Sequence, residues 1–468
     1  MMNRRHLLRT TACGFGSLAF NAMASSPLAD RHGHHFPKAK RVIFLFMAGG
    51  VSHVDSFDHK PKLDELDGKM LDFDDARVVA KTGMGAAQRV MKSLWPHQRR
   101  GQCGHWASEL FPHMGSMVDD LTFIHSMHTE GVAHGPATIF LHTGSTAFVR
   151  PSMGAWVTYG LGTENENLPA FVSISPSMGN GGPRNYGTAF LPPVYQGTAM
   201  GRSGIPAKDS TIRNVRNELL GRAEQERQFE FISKLNRAQF QRSAAKNGGH
   251  DPEVEAVINS YELAWRLQNH APEAFDIAKE SEATKAMYGI GDGLASDNYG
   301  RQCLIARRLA EQGVRYIQVN YSDNSNNPAW DQHSNMPKHA EHAAAVDKPV
   351  WALVQDLKQR GLLEDTIVWW GGEFGRTPYS QQNGTGRDHN PGGFTVWLAG
   401  GGFKSGHSHG QTDEFGHMAV QNKVHMHDLH ATILHQLGLD HEKLTFRHAG
   451  RDFRLTDVHG HVVHDILA

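Results

Sequence analysis

Val42-Ile43-Phe44-Leu45-Phe46-Met47-Ala48-Gly49-Gly50 is an uninterrupted apolar run that stops at paired glycines. A strand with one wet face alternates apolar and polar residues, whereas one buried on both faces does not. This segment therefore predicts a central strand of a parallel sheet, followed by a tight loop. Working outward, Leu121 to Ile124, Ala170 to Ile174, Val314 to Val319, Thr366 to Trp370 and Phe394 to Leu398 have the same β-forming character. Helical patterns fall between them, at Ile212 to Ala245, Glu253 to Gln268, Asn298 to Gln312, Met336 to Arg360 and His427 to Leu437. Strands alternating with helices predict an α/β fold, with a mostly parallel central sheet flanked by crossover helices. The charged block over residues 205–295 reads as a helical insertion, in whose first helix Phe229, Ile232 and Leu235 belong to an apolar face.

A chain of 468 residues with 39% hydrophobic content can bury a sizeable core. Residues 1–24 read as a targeting segment rather than as fold. Arg4-Arg5 precede a short, mildly apolar stretch, Thr10 to Phe20, and Ala22-Met23-Ala24 offers a small-x-small cleavage site. The expectation is export by the twin-arginine machinery to the periplasm or another extracytoplasmic space, with 25–40 a linker and 41–468 the α/β domain. Removing Arg4, Arg5 and Arg9 leaves 44 basic against 48 acidic residues, a net charge of −4. That balance excludes a nucleic-acid footprint, and no later segment is long and apolar enough to span a bilayer. Cys103 and Cys303 remain after the targeting segment, and their spacing leaves pairing open.

The polar chemistry gathers at predicted strand ends, where α/β enzymes place their ligands. After the first strand come Ser52, His53 and Asp55. After the second, His125-Ser126-Met127-His128-Thr129-Glu130-Gly131-Val132-Ala133-His134-Gly135-Pro136-Ala137-Thr138 enters a helix. A hydroxyl at a helix amino terminus can hold an anion or attack an ester, so Thr129 and Thr138 are candidate nucleophiles and His134 a ligand or base; capping is the commoner use of such hydroxyls. Farther on lie Trp330-Asp331-Gln332-His333, Gly372-Glu373-Phe374-Gly375-Arg376 and Arg387-Asp388-His389-Asn390. Carboxylates and imidazoles suit a divalent cation, which makes Asp331, His333, Glu373 and His389 candidate ligands. Glu373 leaves an apolar strand and needs a partner for its charge; Arg376 is one candidate, or it grips a substrate anion. Twelve histidines lie between His407 and His464, but His427 and His430 fall in a helical pattern with Leu429 and Ile433, so packing rather than metal storage is expected. Gly406-His407-Ser408-His409-Gly410 matches a nucleophile-elbow pattern without the strand and helix that an elbow requires.

These motifs, together with Phe46-Met47-Ala48-Gly49-Gly50-Val51-Ser52-His53, Arg150-Pro151-Ser152-Met153-Gly154-Ala155-Trp156 and His425-Met426-His427-Asp428-Leu429-His430, resemble the DUF1501 proteins. Those are sulfatase-like members of the alkaline-phosphatase-like superfamily, and the likeness runs from Arg41 to the carboxyl terminus. The resemblance implies an alkaline-phosphatase-like fold, one or two divalent metals (Zn, Mn, Ca or Mg) at the sheet's carboxyl ends, and a hydroxyl nucleophile acting on sulfate or phosphate esters. In the superfamily's chain order Asp331 and His333 match an Asp/His pair and His389 the last histidine. Ala48-Gly49 stands where an early Asp is usual, so Asp55 would substitute, and Glu373-Phe374 replaces Asp-His. The expected activity is metal-dependent hydrolysis of an anionic ester, with Arg376 balancing developing charge. The alternative is a non-catalytic binding protein on the same scaffold, holding sulfated polysaccharide.

Overall fold

The computed structural model describes residues 33–73, 87–210, 221–247, 265, 275–323, 325, 327–381 and 384–468. The targeting segment, and the helix expected over Glu253 to Gln268 apart from Trp265, lie outside them. The strands that matter here are β1 (Arg41–Met47), β2 (Leu121–His128), β3 (Phe171–Ile174), β4 (Thr198–Met200), β5 (Tyr316–Tyr321), β6 (Thr366–Gly371), β7 (Gly375–Ser380), β8 (Arg387–Asn390), β9 (Phe394–Ala399), β10 (His407–His409) and β11 (Val424–His425). All but β7 and β8 join one nine-stranded sheet in the order β10-β2-β9-β6-β1-β5-β3-β4, with β11 also on β2. Within that sheet β9 alone runs antiparallel to its neighbours, so the architecture is the expected mostly parallel α/β sheet.

The helices are α1 (His134–Thr143), α2 (Met153–Leu161), α3 (Arg222–Asn247), α4 (Asp297–Glu311), α5 (Lys338–Gln359) and α6 (Met426–Gln436). Strand β1 shows why its sequence has no polar alternation. Ile43, Leu45 and Met47 enter one core with Leu304 and Leu309 of α4 and Val346 and Leu353 of α5. Val42, Phe44 and Phe46 enter the other with Phe140 of α1, Trp156 of α2 and Leu429 and Ile433 of α6. Each such aliphatic side chain contributes about 2–5 kcal/mol against truncation to alanine.

Helix α3 differs from expectation. Ile232 and Leu235, placed on its apolar face by the sequence, are exposed, while half-buried Phe229 stacks on Trp265. The histidine-rich tail behaves as expected, since His427 and His430 are buried in α6. His407–His409 forms an edge strand followed by another short strand, Gln411–Thr412, and not by a helix, so no nucleophile elbow forms there. Both remaining cysteines are free, Cys303 in the core and Cys103 at the surface.

Candidate metal centre

Strands β1, β2, β5 and β6 end on the same side of the sheet because they run in one direction. The loops leaving them bring together segments far apart in sequence. Gly49 permits the closest approach: at φ +112°, a Cβ there would lie 2.7 Å from the Asp331 amide nitrogen. A side chain would push the Asp331 loop off β1. Gly386 does the same for the β7–β8 hairpin, since a Cβ on it would sit 2.1 Å from the His333 carbonyl carbon. In that hairpin Arg376 lies directly opposite His389, so both side chains reach the same place.

That place is one oxygen of Asp331. Its Oδ1 lies 3.1 Å from His134 Nε2, 2.9 Å from His333 Nε2, 3.2 Å from His389 Nε2 and 2.7 Å from Arg376 Nη2. The ligand atoms of His134, Asp331, His333 and His389 all fall within 4.8 Å of one another, the one such group among the described residues. Each ring's other nitrogen is held from behind. His134 Nδ1 meets Glu373 Oε1 at 2.6 Å, His389 Nδ1 meets the Val132 carbonyl at 2.8 Å, and His333 Nδ1 meets Gln381 Oε1 at 2.7 Å.

Proton placement decides what this arrangement can hold. The Val132 carbonyl and the Glu373 carboxylate only accept, so Nδ1 of His389 and of His134 must carry hydrogen. In the neutral rings the Nε2 lone pairs then point at one another and at a carboxylate oxygen. His333 Nε2 and His389 Nε2 are 2.9 Å apart. His134 Nε2 is buried, and although near Asp331 Oδ1 it is off the line of a hydrogen bond and has no partner. Converging lone pairs with backs held by carboxylate, carbonyl and amide are the donor set of a protein-bound cation. Three imidazole nitrogens and one carboxylate oxygen fit Zn or a similar transition metal better than Ca or Mg, which favour all-oxygen sites.

The charges agree. Burial would raise the Asp331 carboxyl, but the three histidines and Arg376 outweigh it and hold the group far below the usual carboxylate range. Burial, with Arg376 and the other two histidines acting against the pull of Asp331, lowers His389 to about 4, so its ring is neutral at pH 7. Burial also opposes charge on His134, yet the adjacent carboxylates of Asp331 and Glu373 prevail and raise it.

Not every residue expected at the site joins the cluster. Glu373 stands one layer behind the cluster: it orients His134 and accepts the Gly49 N–H at 2.9 and 3.1 Å. Its partner is thus not Arg376. Asp55, expected as a substitute ligand, is buried and bound to Arg387 Nε at 2.8 Å and to the Ser52 hydroxyl at 2.5 Å. Its other oxygen takes the Leu94 N–H at 3.1 Å, which leaves it committed to loop structure. Arg376 is fully buried, donating to the carbonyls of Gly49, Gly50, Trp330 and Arg387 and to Asp331, so it cannot swing onto a substrate. Phe374 is a wall, its ring stacked 4.4 Å from that of His389. Thr138 lies one helical turn beyond His134 on α1, and Thr129 is tied by its N–H to the Pro391 carbonyl. Neither hydroxyl is bonded to a cluster histidine. Gln381 and the Val132 carbonyl have no signature in the sequence, the first being a lone glutamine outside every motif and the second a backbone acceptor.

A family model described as a protein of unknown function (DUF1501) matches residues 39–467. The chain belongs to the DUF1501 family. Among solved structures, Ps i-CgsB in complex with k-i-k-neocarrahexaose aligns over 86% of this DUF1501 chain and 72% of its own, at 11% identity and a TM-score of 0.35. The lipoteichoic acid synthase LtaP from Listeria monocytogenes aligns over 92% and 78%, at 9% identity and a TM-score of 0.33. The PsFucS1 sulfatase from Pseudoalteromonas sp. aligns over 86% and 68%, at 12% identity and a TM-score of 0.35. Nothing about activity follows from likeness of this extent. No match was found among curated proteins.

Proposed function

We propose that this DUF1501 protein is an exported, one-metal hydrolase of sulfate or phosphate esters. The observation that carries the reading is the convergence of three histidine Nε2 atoms on Asp331 Oδ1, each ring fixed from behind. His134, Asp331, His333 and His389 would hold the cation. A divalent metal in such a site supplies Lewis-acid polarisation of an ester oxygen. The chain's own groups divide the remaining work. Glu373 and the Val132 carbonyl keep the Nδ1 protons of His134 and His389, so the inward nitrogens stay free to ligate. Arg376 offsets the charge of Asp331 from the protein side and locks the Gly49 loop to it. Phe374 excludes water from the back of His389.

A single ion is proposed because Ala48-Gly49 offers no carboxylate at the end of β1 and Asp55 is taken by Arg387. Water is the proposed attacking group, because neither the Thr129 nor the Thr138 hydroxyl is hydrogen-bonded to a histidine of the cluster. Export rests on Arg4-Arg5 and Ala22-Met23-Ala24, which suit the twin-arginine route to the periplasm. The second reading, a binding protein for sulfated polysaccharide, is favoured by one observation: the site's arginine is sealed from solvent and cannot stabilise a transition state directly.

Hydrolysis of aryl sulfate and aryl phosphate esters by the metal-loaded protein tests the proposal. Turnover that falls at least a hundredfold in His389→Ala is expected. Equal rates in parent and variant would remove the cluster from the reaction, and no turnover of any ester by metal-loaded protein would leave the binding reading.

A further inference from the structure

At the edge of the sheet formed by β10, a pocket of about 330 Å3 opens to solvent. A volume of that order suits a small-molecule site. Its wall comes from three parts of the chain: Asp58 and Lys60 beyond β1, His125 on β2, and Ser408, Gln411 and Gln421 from β10 and the antiparallel pair Gln411–Thr412 and Ala419–Gln421. None of these residues belongs to the histidine cluster.

The inner wall is rigid and only partly used. Asp58 and His125 are 7% and 8% exposed, so both are set into the wall rather than standing on the surface. Asp58 is committed, one oxygen to Lys60 Nζ at 2.9 Å and the other to the Thr412 hydroxyl. The Lys60 ammonium has two N–H groups beyond that contact, and its charge is already offset. Stacking fixes the His125 ring, whose centroid lies 5.2 Å from that of His105 and 5.9 Å from that of Phe123. His125 Nδ1 meets Thr395 Oγ1 at 3.1 Å, while Nε2 bonds no protein group among the described residues and keeps contact with solvent. Burial lowers the ring to about 4 against the pull of Asp58, so it is neutral at pH 7. At the rim, His105 Nδ1 holds the exposed Ser408 hydroxyl at 3.0 Å.

The lining thus has no net charge and no apolar side chain. An apolar ligand would find nothing to pack on. An anion would meet the Asp58 carboxylate beside Lys60, and a cation would meet the ammonium. What remains is a set of groups that donate and accept hydrogen bonds at close spacing, which is the complement of a hydroxyl-rich molecule. We propose that this pocket binds one neutral sugar ring, its hydroxyls shared among His125 Nε2, the Lys60 ammonium and the Gln411 and Gln421 amides. The site is separate from the candidate metal centre, and the binding does not depend on the hydrolytic reading.

The experiment is saturation-transfer NMR of the full chain with D-glucose, D-galactose and D-mannose, with inorganic sulfate titrated in parallel by calorimetry. At least one sugar should bind, with affinity at least tenfold weaker in His125→Phe, which keeps a ring in the stack but removes Nε2. Because His125 is buried, Gln421→Trp serves as a second variant: Gln421 is exposed at the mouth, and a bulky ring there should block the same sugar while the denaturation midpoint stays that of the parent. No sugar binding by the parent, or binding unchanged in Gln421→Trp, would overturn the site. Sulfate binding weakened by the same two variants, without sugar binding, would overturn it in favour of an anion site.

Discussion

His134 Nδ1 and Glu373 Oε1 lie 2.6 Å apart, although 239 positions separate them in the chain. The contact fixes the ring so that Nε2 faces Asp331, and it explains why a carboxylate stands at the end of so apolar a strand as β6. Glu373→Ala should therefore weaken divalent-metal affinity about 10–100-fold, the usual cost of losing a group that orients a ligating histidine. Glu373→Gln, which still accepts from Nδ1, should lose less. Competition with a chromogenic chelator measures both, and unchanged affinity in Glu373→Ala would separate Glu373 from the centre.

Asp55 and Arg387 form a wholly buried pair, and its loss should register in stability. Asp55→Asn leaves the Arg387 charge without its counter-ion, at a cost of about 3–5 kcal/mol, visible as a lower denaturation midpoint. Metal stoichiometry should stay the same. Loss of metal with normal stability would instead make Asp55 a ligand.

The same pair sets a pH dependence. Burial would raise the Asp55 carboxyl, but the charge of Arg387 and the Ser52 hydroxyl outweigh it and lower it below its ordinary value. A group depressed in the folded state adds stability above its unfolded pKa of about 3.9, and that stability is lost as pH falls through the lower folded value. Between pH 5 and pH 3 the parent should therefore lose more stability than Asp55→Asn. Parallel pH profiles of the denaturation midpoint would contradict this.

Thiol chemistry checks the core. In protein lacking residues 1–24, Cys103 should react with a maleimide under native conditions and Cys303 only after unfolding, because Cys303 is buried within α4. Two reactive thiols in the native protein, or none in denaturant, would contradict the packing described.

Export is tested at the twin arginines. Arg4→Lys with Arg5→Lys should leave uncleaved precursor in the cytoplasm, followed by fractionation and immunoblotting. Normal processing of the double variant would point to another route.

What could be read in the sequence follows from where each interaction is encoded. β1 was legible because burial on both faces removes every polar residue from Val42 to Met47. Asp331, His333, His389 and His134 stood out because imidazole and carboxylate at strand ends are unusual. Glu373 is conspicuous in the sequence but its partner is not, since Arg376 is three residues away while His134 arrives from another strand end. Asp55 lies outside the cluster, and the sequence could not show this for a similar reason: the Arg387 that binds it belongs to the same motif as His389, and nothing local shows which way that guanidinium turns. β10 and β11, of three and two residues, are too short to have a pattern at all.

The central claim is a single cation held by four named atoms. Anomalous diffraction from crystals of the protein grown with zinc tests it most directly. The account predicts one strong peak per chain, bonded to Nε2 of His134, His333 and His389 and to Asp331 Oδ1. No peak at that position, or one bonded to Asp55 or Glu373 in its place, would contradict it.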